Sequence, residues 1–170
     1  MISDADFQDI QLLIFDIDGT LTDGRFSCGN REKFFNIRDQ HWLKLAVRAG
    51  LVTALLSGRD DEANRHFAAE AQVTHLITGA KDKLEAFEKL LTELRITPDQ
   101  VLYAGDDVVD MPVMMRCRIA AVPADAPDFM DELRPWRLSA AAGCGTACEV
   151  VFRVLEKKGL LDRIMERYRR

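Results

Sequence analysis

Four short apolar runs constrain the fold most. Leu12–Phe15, Val52–Leu56, Val101–Ala104 and Ile119–Val122 each read as a strand buried on both faces. Segments with helical spacing separate them. Trp42, Leu43, Ala46 and Val47 share one face of a helix that Asp39 caps and Gly50 ends, and a second helix spans about Asp61 to Ala71. A third, from about Lys83 to Leu94, sets Leu84, Phe87, Leu90, Leu91 and Leu94 on one side. His75–Ile77 adds a short strand before it, and Pro112 fits the first turn of a further helix, where a missing N–H costs little. This alternation predicts an α/β fold with a parallel sheet covered on both faces. In such sheets ligands bind outside the carboxyl ends of strands.

One segment departs from the alternation. Gly29-Asn30 separates two partly apolar runs, near Arg25–Cys28 and Lys33–Ile37, which is a hairpin signal. The expected architecture is one domain, residues 1–170, with a Rossmann-like three-layer parallel sheet and a small β-hairpin at about 24–37. Phe26, Phe34 and Phe35 lie on that hairpin, which cannot bury them alone. They must fold back on the domain or pack against another subunit. Further on, a short helix near Pro127–Leu133 and a strand at Trp136–Leu138 are expected. A helix at about Thr146–Lys157 follows, and then an amphipathic one from Leu160 to Tyr168. Arg163, Arg167, Arg169 and Arg170 form its solvated basic end.

With 170 residues, 48% of them hydrophobic, the chain suits a globular domain with its own core. A net charge of -5 argues against a broad nucleic-acid surface, yet leaves room for a small basic pocket that takes an anion. Met1–Asp6 lacks the basic start and apolar centre of a signal peptide, and no run is long enough to span a bilayer. A cytoplasmic protein with no membrane partner is expected. Cys28, Cys117, Cys144 and Cys148 read as small reduced side chains. The spacing of Cys144 and Cys148 would allow a zinc site, but no second close pair or His cluster accompanies it.

Polar residues collect where the strands end. Asp16 and Asp18 follow the first strand at i, i+2, so they project together if the chain stays extended. Two adjacent acids repel, the more so when buried, and a cation or a shared proton must offset this. The pair could be a metal site, an acid–base pair, or both. Ser57-Gly58-Arg59 follows the second core strand and Asp106-Asp107 the third, with Asp110 shortly after. Lys83 stands at a helix start, where the dipole favours anions. Ser57-Gly58 alone would read as an ordinary turn, and Lys83 alone as a solvated helix residue. Together, oxygen-only acids suit a hard cation such as Mg2+. Ser57, the Gly58 N–H and Lys83 are donors for an anion. Metal, anion donors and a free carboxylate make a kit for phosphoryl transfer, and a carboxylate can itself attack phosphorus.

Asp16-Ile17-Asp18-Gly19-Thr20, Ser57, Lys83 and Gly105-Asp106-Asp107-Val108-Val109-Asp110, in that order, resemble the four motifs of the haloacid dehalogenase (HAD) superfamily of phosphatases. The resemblance covers nearly the whole chain. The short length, a hairpin where larger members carry a cap, Asn36-Ile37-Arg38-Asp39, Ser57-Gly58-Arg59 and Lys83-Leu84-Glu85-Ala86-Phe87 resemble the capless 3-deoxy-D-manno-octulosonate 8-phosphate (KDO 8-phosphate) phosphatases.

The resemblance implies roles. Asp16 is the nucleophile. Asp18 protonates the leaving oxygen and later activates water. Mg2+ is held by Asp16, the Asp18 backbone carbonyl and Asp106, with Asp107 and Asp110 as outer or water-mediated contacts. Ser57, Gly58 and Lys83 bind the phosphate, and Arg38 and Arg59 are candidates for an acidic sugar. It also implies a homotetramer in which hairpins meet at the centre. The sequence departs from that branch at Gln40, where a Gly is usual, and at Ala142–Cys148, where Cys144 and Cys148 replace expected arginines. The implied activity is Mg2+-dependent hydrolysis of a small sugar-acid phosphate. The alternatives are a nine-carbon sugar acid 9-phosphate, another small phosphorylated metabolite, or a non-catalytic oligomerisation module.

Overall fold

The computed structural model describes residues 2–29 and 32–169. In chain order the elements are α1 (Asp4–Gln8), β1 (Leu12–Phe15), α2 (Ile37–Arg48), β2 (Val52–Leu56), α3 (Glu62–Glu70), β3 (His75–Ile77) and α4 (Lys83–Leu94). Then come β4 (Val101–Ala104), α5 (Met111–Met114), β5 (Ile119–Val122), β6 (Trp136–Arg137), α6 (Thr146–Lys157) and α7 (Leu161–Met165). The six strands form one parallel sheet in the order β3-β2-β1-β4-β5-β6. Phe15 lies opposite Leu55 on one side and Ala104 on the other. The chain builds outward from β1 in one direction and then returns to build in the other. The crevice between β1 and β4 is therefore the topological switch point, where α/β sheets bind ligands.

Both faces of β1 are buried, as its unbroken apolar run predicts. Leu13 and Phe15 pack into the core layer that Leu43, Ala46, Val150 and Val154 of α2 and α6 complete. Leu12 and Ile14 pack into the opposite layer with Phe87, Leu90 and Leu91 of α4. Full burial of each such side chain contributes about 1.5–3 kcal/mol. Among the described residues no helix is long and apolar enough to cross a membrane.

Two expectations need correction. The helix expected from Asp39 begins at Ile37, and its cap is Asn36, whose side chain accepts from the Arg38 amide at 2.9 Å. Asp39 is buried and caps a different helix: its Oδ1 accepts from the Cys148 amide of α6 at 2.7 Å. Gly145, at the N-cap of α6, has no side chain to do this.

The hairpin is the second correction. Among the described residues of 24–36 there is no strand, and Ile37 already belongs to α2. Asn30 of the expected turn lies outside the described residues, as does Arg170. A two-stranded ladder has little stability of its own, and these side chains find better partners on the domain. Phe35 stacks on Phe67 of α3 (centroids 4.1 Å apart, planes at 12°), and Phe26 lies beneath the Arg59 guanidinium, 3.8 Å from the ring centroid. Phe34 and Ile37 remain 74% exposed. At the other end, α7 stops at Met165 and a 3-10 turn carries the chain to Tyr168, whose ring meets His41 edge-on.

Candidate active site

The Asp16 amide still donates to Ala104 O at 2.8 Å, so Asp16 prolongs β1 before the chain turns. The Ile17 carbonyl then accepts from the amides of Thr20, Leu21 and Thr22, closing a tight loop. Gly19 sits in that loop at φ +96°, and a Cβ there would lie 2.2 Å from Asp106 Oδ2. Glycine thus lets the loop after β1 touch the loop after β4, and Thr20 Oγ1 donates to Asp106 Oδ1 at 2.9 Å across the junction.

The loop after β4 winds around Asp110. The amides of Asp106 and Asp107 donate to its Oδ2 at 3.1 and 3.3 Å. Gly105 leaves it room, since a Cβ there would lie 2.5 Å from Asp110 Cγ. Asp110 Oδ1 accepts from the Tyr103 hydroxyl at 2.6 Å and from Lys83 Nζ at 2.7 Å. Lys83 Nζ also donates to Asp16 Oδ1 at 2.5 Å. Lys83 is the first residue of α4, which Asp82 caps by accepting from the amides of Leu84 and Glu85. Tyr103, Asp110, Lys83 and Asp16 are all buried and form one continuous polar chain.

Ser57 follows β2, its amide donating to Ile77 O and its hydroxyl accepting from the Arg59 amide at 3.1 Å. A cleft of about 550 Å³ opens at this end of the sheet. Asp16, Asp18, Ser57, Gly58, Arg59, Lys83, Asp107 and Asp110 line it, and Asp106 stands behind Gly19. Arg59 is held over Phe26 with its Nε on Asp61 Oδ2 at 3.1 Å. Arg38 is exposed at the start of α2 and does not line the cleft of the single chain.

Two residues of the site escaped the sequence reading. Tyr103 reads as a core residue of β4; its one signal is a hydroxyl that needs a partner when buried. Lys33 lies in the segment read as a hairpin, yet its side chain has no exposed area. It contacts Asp18 Oδ1 at 2.7 Å and Oδ2 at 2.9 Å, Asp61 Oδ2 at 2.8 Å and Asn64 Oδ1 at 3.1 Å. A cation followed by two phenylalanines hints at burial but not at its partners.

Burial pushes the Asp16 carboxyl up to about 8, and the Asp110 charge adds to this against the pull of Lys83. Burial also raises Asp106, to about 6, against the Thr20 hydrogen bond, with Asp110 and Asp107 adding repulsion. On Lys83 burial acts downward, but the charges of Asp16 and Asp110 together outweigh it and the ammonium is stabilised. One carboxylate oxygen each from Asp16, Asp106 and Asp110 lies within 4.8 Å of the others. Lys83 offsets only part of that repulsion, and a divalent cation would offset the rest. An all-oxygen donor set fits a hard ion such as Mg2+.

No family model matches the chain. It is 35% identical over 161 residues to the 3-deoxy-D-manno-octulosonate 8-phosphate phosphatase KdsC of Escherichia coli (strain K12), covering 93% of this chain and 86% of that protein. Two solved structures are similar throughout. A probable YrbI family phosphatase from Pseudomonas syringae pv. phaseolica has a TM-score of 0.94 and 35% identity, covering 98% of this chain and 97% of that one. The cobalt-bound deoxy-D-mannose-octulosonate 8-phosphate phosphatase (YrbI) of Haemophilus influenzae has a TM-score of 0.86 and 30% identity, covering 92% and 93%. With four motifs converging at the switch point and likeness along nearly its whole length, the chain belongs to the KDO 8-phosphate phosphatase family of HAD phosphatases.

Proposed function

We propose that the chain hydrolyses a small sugar-acid phosphate, KDO 8-phosphate first among candidates, through an aspartyl-phosphate on Asp16. The observation that carries this reading is the unlike treatment of two neighbouring acids. Asp16 is buried against Lys83, whereas Asp18 faces the cleft and is held by a different lysine. An Asp16 oxygen bonds to phosphorus as the ester P–O bond breaks, and Asp18 gives its proton to the departing sugar oxygen. Water then attacks phosphorus, Asp18 takes the water's proton, the bond to Asp16 breaks, and inorganic phosphate leaves. Ser57, the Gly58 amide and Lys83 receive the phosphate oxygens, and Lys83 stabilises the charge they gather.

Asp16, the Asp18 backbone carbonyl and Asp106 would hold Mg2+, which would supply positive charge against the transferring phosphate. The cobalt-bound Haemophilus relative supports a divalent ion here. Asp107 and Asp110, both on the cleft wall, lie outside that set; Asp110 is committed to Lys83, Tyr103 and two amides. Arg59 is the cleft cation available to a sugar carboxylate. The exposed Phe34 and Ile37 suit contact with neighbouring copies of the chain in a homotetramer. Its four free cysteines suit the reducing cytoplasm.

Phosphate release over a panel of phosphorylated metabolites, with and without Mg2+, tests the reading. KDO 8-phosphate should be turned over and Asp16→Asn should abolish turnover with the fold intact. A wild type inactive on every ester would refute it. Light scattering that shows a monomer at working concentration would remove the tetramer.

A further inference from the structure

We propose that Lys33 is a positioning residue that sets the Asp18 carboxylate for proton transfer, through a support built on α3. This rests on the phosphatase reading above. The ammonium reaches both oxygens of Asp18 and, on its other side, Asp61 and Asn64, at 2.7–3.1 Å. Three N–H groups are thus spent on three side chains, which leaves none for a substrate. Its side chain has no exposed area, so water does not compete for these contacts.

Asp18 needs such a tether. It sits on the turn that Gly19 forms after β1, with 26% of its side chain exposed to the cleft. Untethered, the carboxylate could swing towards a cation beside Asp16 or towards solvent. The tether is itself anchored. Asp61 is the N-cap residue of α3, and Asn64 and Phe67 lie on one face of that helix, three residues apart. Asn64 takes Lys33 and Phe67 takes Phe35, so two residues of an irregular segment dock on one rigid helix. Asn64 Nδ2 also donates to Arg59 O, tying this support to the loop that carries Ser57. Lys83 performs the corresponding service for Asp16 from α4. Each of the two acids after β1 therefore has its own lysine, delivered by a separate element.

A buried ion pair that merely holds the segment in place would look similar, so the test must read proton transfer. A sugar or other alkyl oxygen leaves only when protonated, whereas p-nitrophenolate leaves as the anion. The quantity to compare is kcat/KM, which covers the steps up to loss of the leaving group, for p-nitrophenyl phosphate and the best alkyl phosphate of the panel. Lys33→Met should lower the alkyl value roughly 30- to 100-fold and the aryl value less than about threefold, because only the former needs a well-placed acid. Asp61→Asn keeps the shape of the support and weakens its charge; it should skew the two esters in the same sense, by about three- to tenfold. Equal losses on both esters, or no loss on the alkyl ester, overturn the proposal. Asp61→Asn decides the matter if Lys33→Met does not fold. A wild type inactive on both esters would remove the phosphatase reading and this inference with it, whereas an active wild type with unskewed variants removes the inference alone.

Discussion

Replacing Asp39 with Asn should change the way stability depends on pH. Asp39 is fully buried; its Oδ1 accepts from the Cys148 amide, and its Oδ2 has no partner among the described residues. Burial lifts its pKa from the ordinary 3.8 to about 6, against the pull of the Cys148 and Ala147 amides. Between those values the folded chain binds the proton and the unfolded chain releases it, so stability falls as pH rises through the window and is level above it. The full difference corresponds to about 3 kcal/mol, of which about 2 kcal/mol falls between about pH 4.5 and about pH 7.5. Asn carries no such charge. Urea unfolding of both proteins at the two pH values isolates the effect, because other titrating groups cancel in the comparison. The variant should gain about 2 kcal/mol on the wild type in going from the lower pH to the higher. A difference that does not move with pH would mean that the α6 amides fully compensate the charge, and the reasoning from burial would be wrong.

The loop junction and the polar chain give three further predictions. Gly19→Ala would push Asp106 aside, and kcat should drop at least about 100-fold; the thermal shift on adding Mg2+ should shrink with it, while circular dichroism stays unchanged. Tyr103→Phe removes one of the donors to Asp110 and should cost about 1–2 kcal/mol in denaturant unfolding. It should also lower kcat, since Lys83 loses part of its anchor. With the proposed ligands, Mg2+ must compete with protons at Asp106 and Asp16, raised to about 6 and about 8. Its apparent affinity by thermal shift should therefore rise with pH across that interval, and an affinity indifferent to pH would contradict the crowding of these acids.

What could be read in the sequence follows the range of the forces involved. The core strands were legible because burial on both faces leaves an unbroken apolar run, as in Leu12–Phe15. The ends of α4 were legible because its apolar spacing begins at Leu84 and stops at Leu94. Asp39 was misread because an acid near a helix start fits its own helix as well as another's. Only the packing of α2 on α6 assigns it to Cys148. The hairpin failed for a related reason. Gly-Asn is a local signal, and the tertiary contacts of Lys33 and Phe35 outweigh it. Asp16, Asp18, Lys83 and Asp106 stand out in the sequence because strand-end acids and a helix-start lysine are local patterns. Tyr103 and Lys33 act only through partners far along the chain.

The structure also alters what the pair after β1 means. An i, i+2 pair of acids on a strand end is close to symmetric by itself, and symmetry would favour one shared proton. Here each acid is drawn to a different support. Asp16 is pulled inward by Lys83, which Asp110 and Tyr103 hold from behind, and it faces Asp106 across the Gly19 junction. Asp18 is pulled towards α3 by Lys33. The division arises from topology: α3 and α4 follow β2 and β3, so their N-termini both lie at the carboxyl edge of the sheet, flanking the loop after β1. A parallel sheet that delivers two helix starts to one strand end can hold two cations from independent directions: α4 supplies Lys83 itself, and the start of α3 supplies Asp61 and Asn64, which anchor Lys33 of the irregular segment. That separation is what the proposed mechanism asks for, in which one acid attacks and the other exchanges a proton.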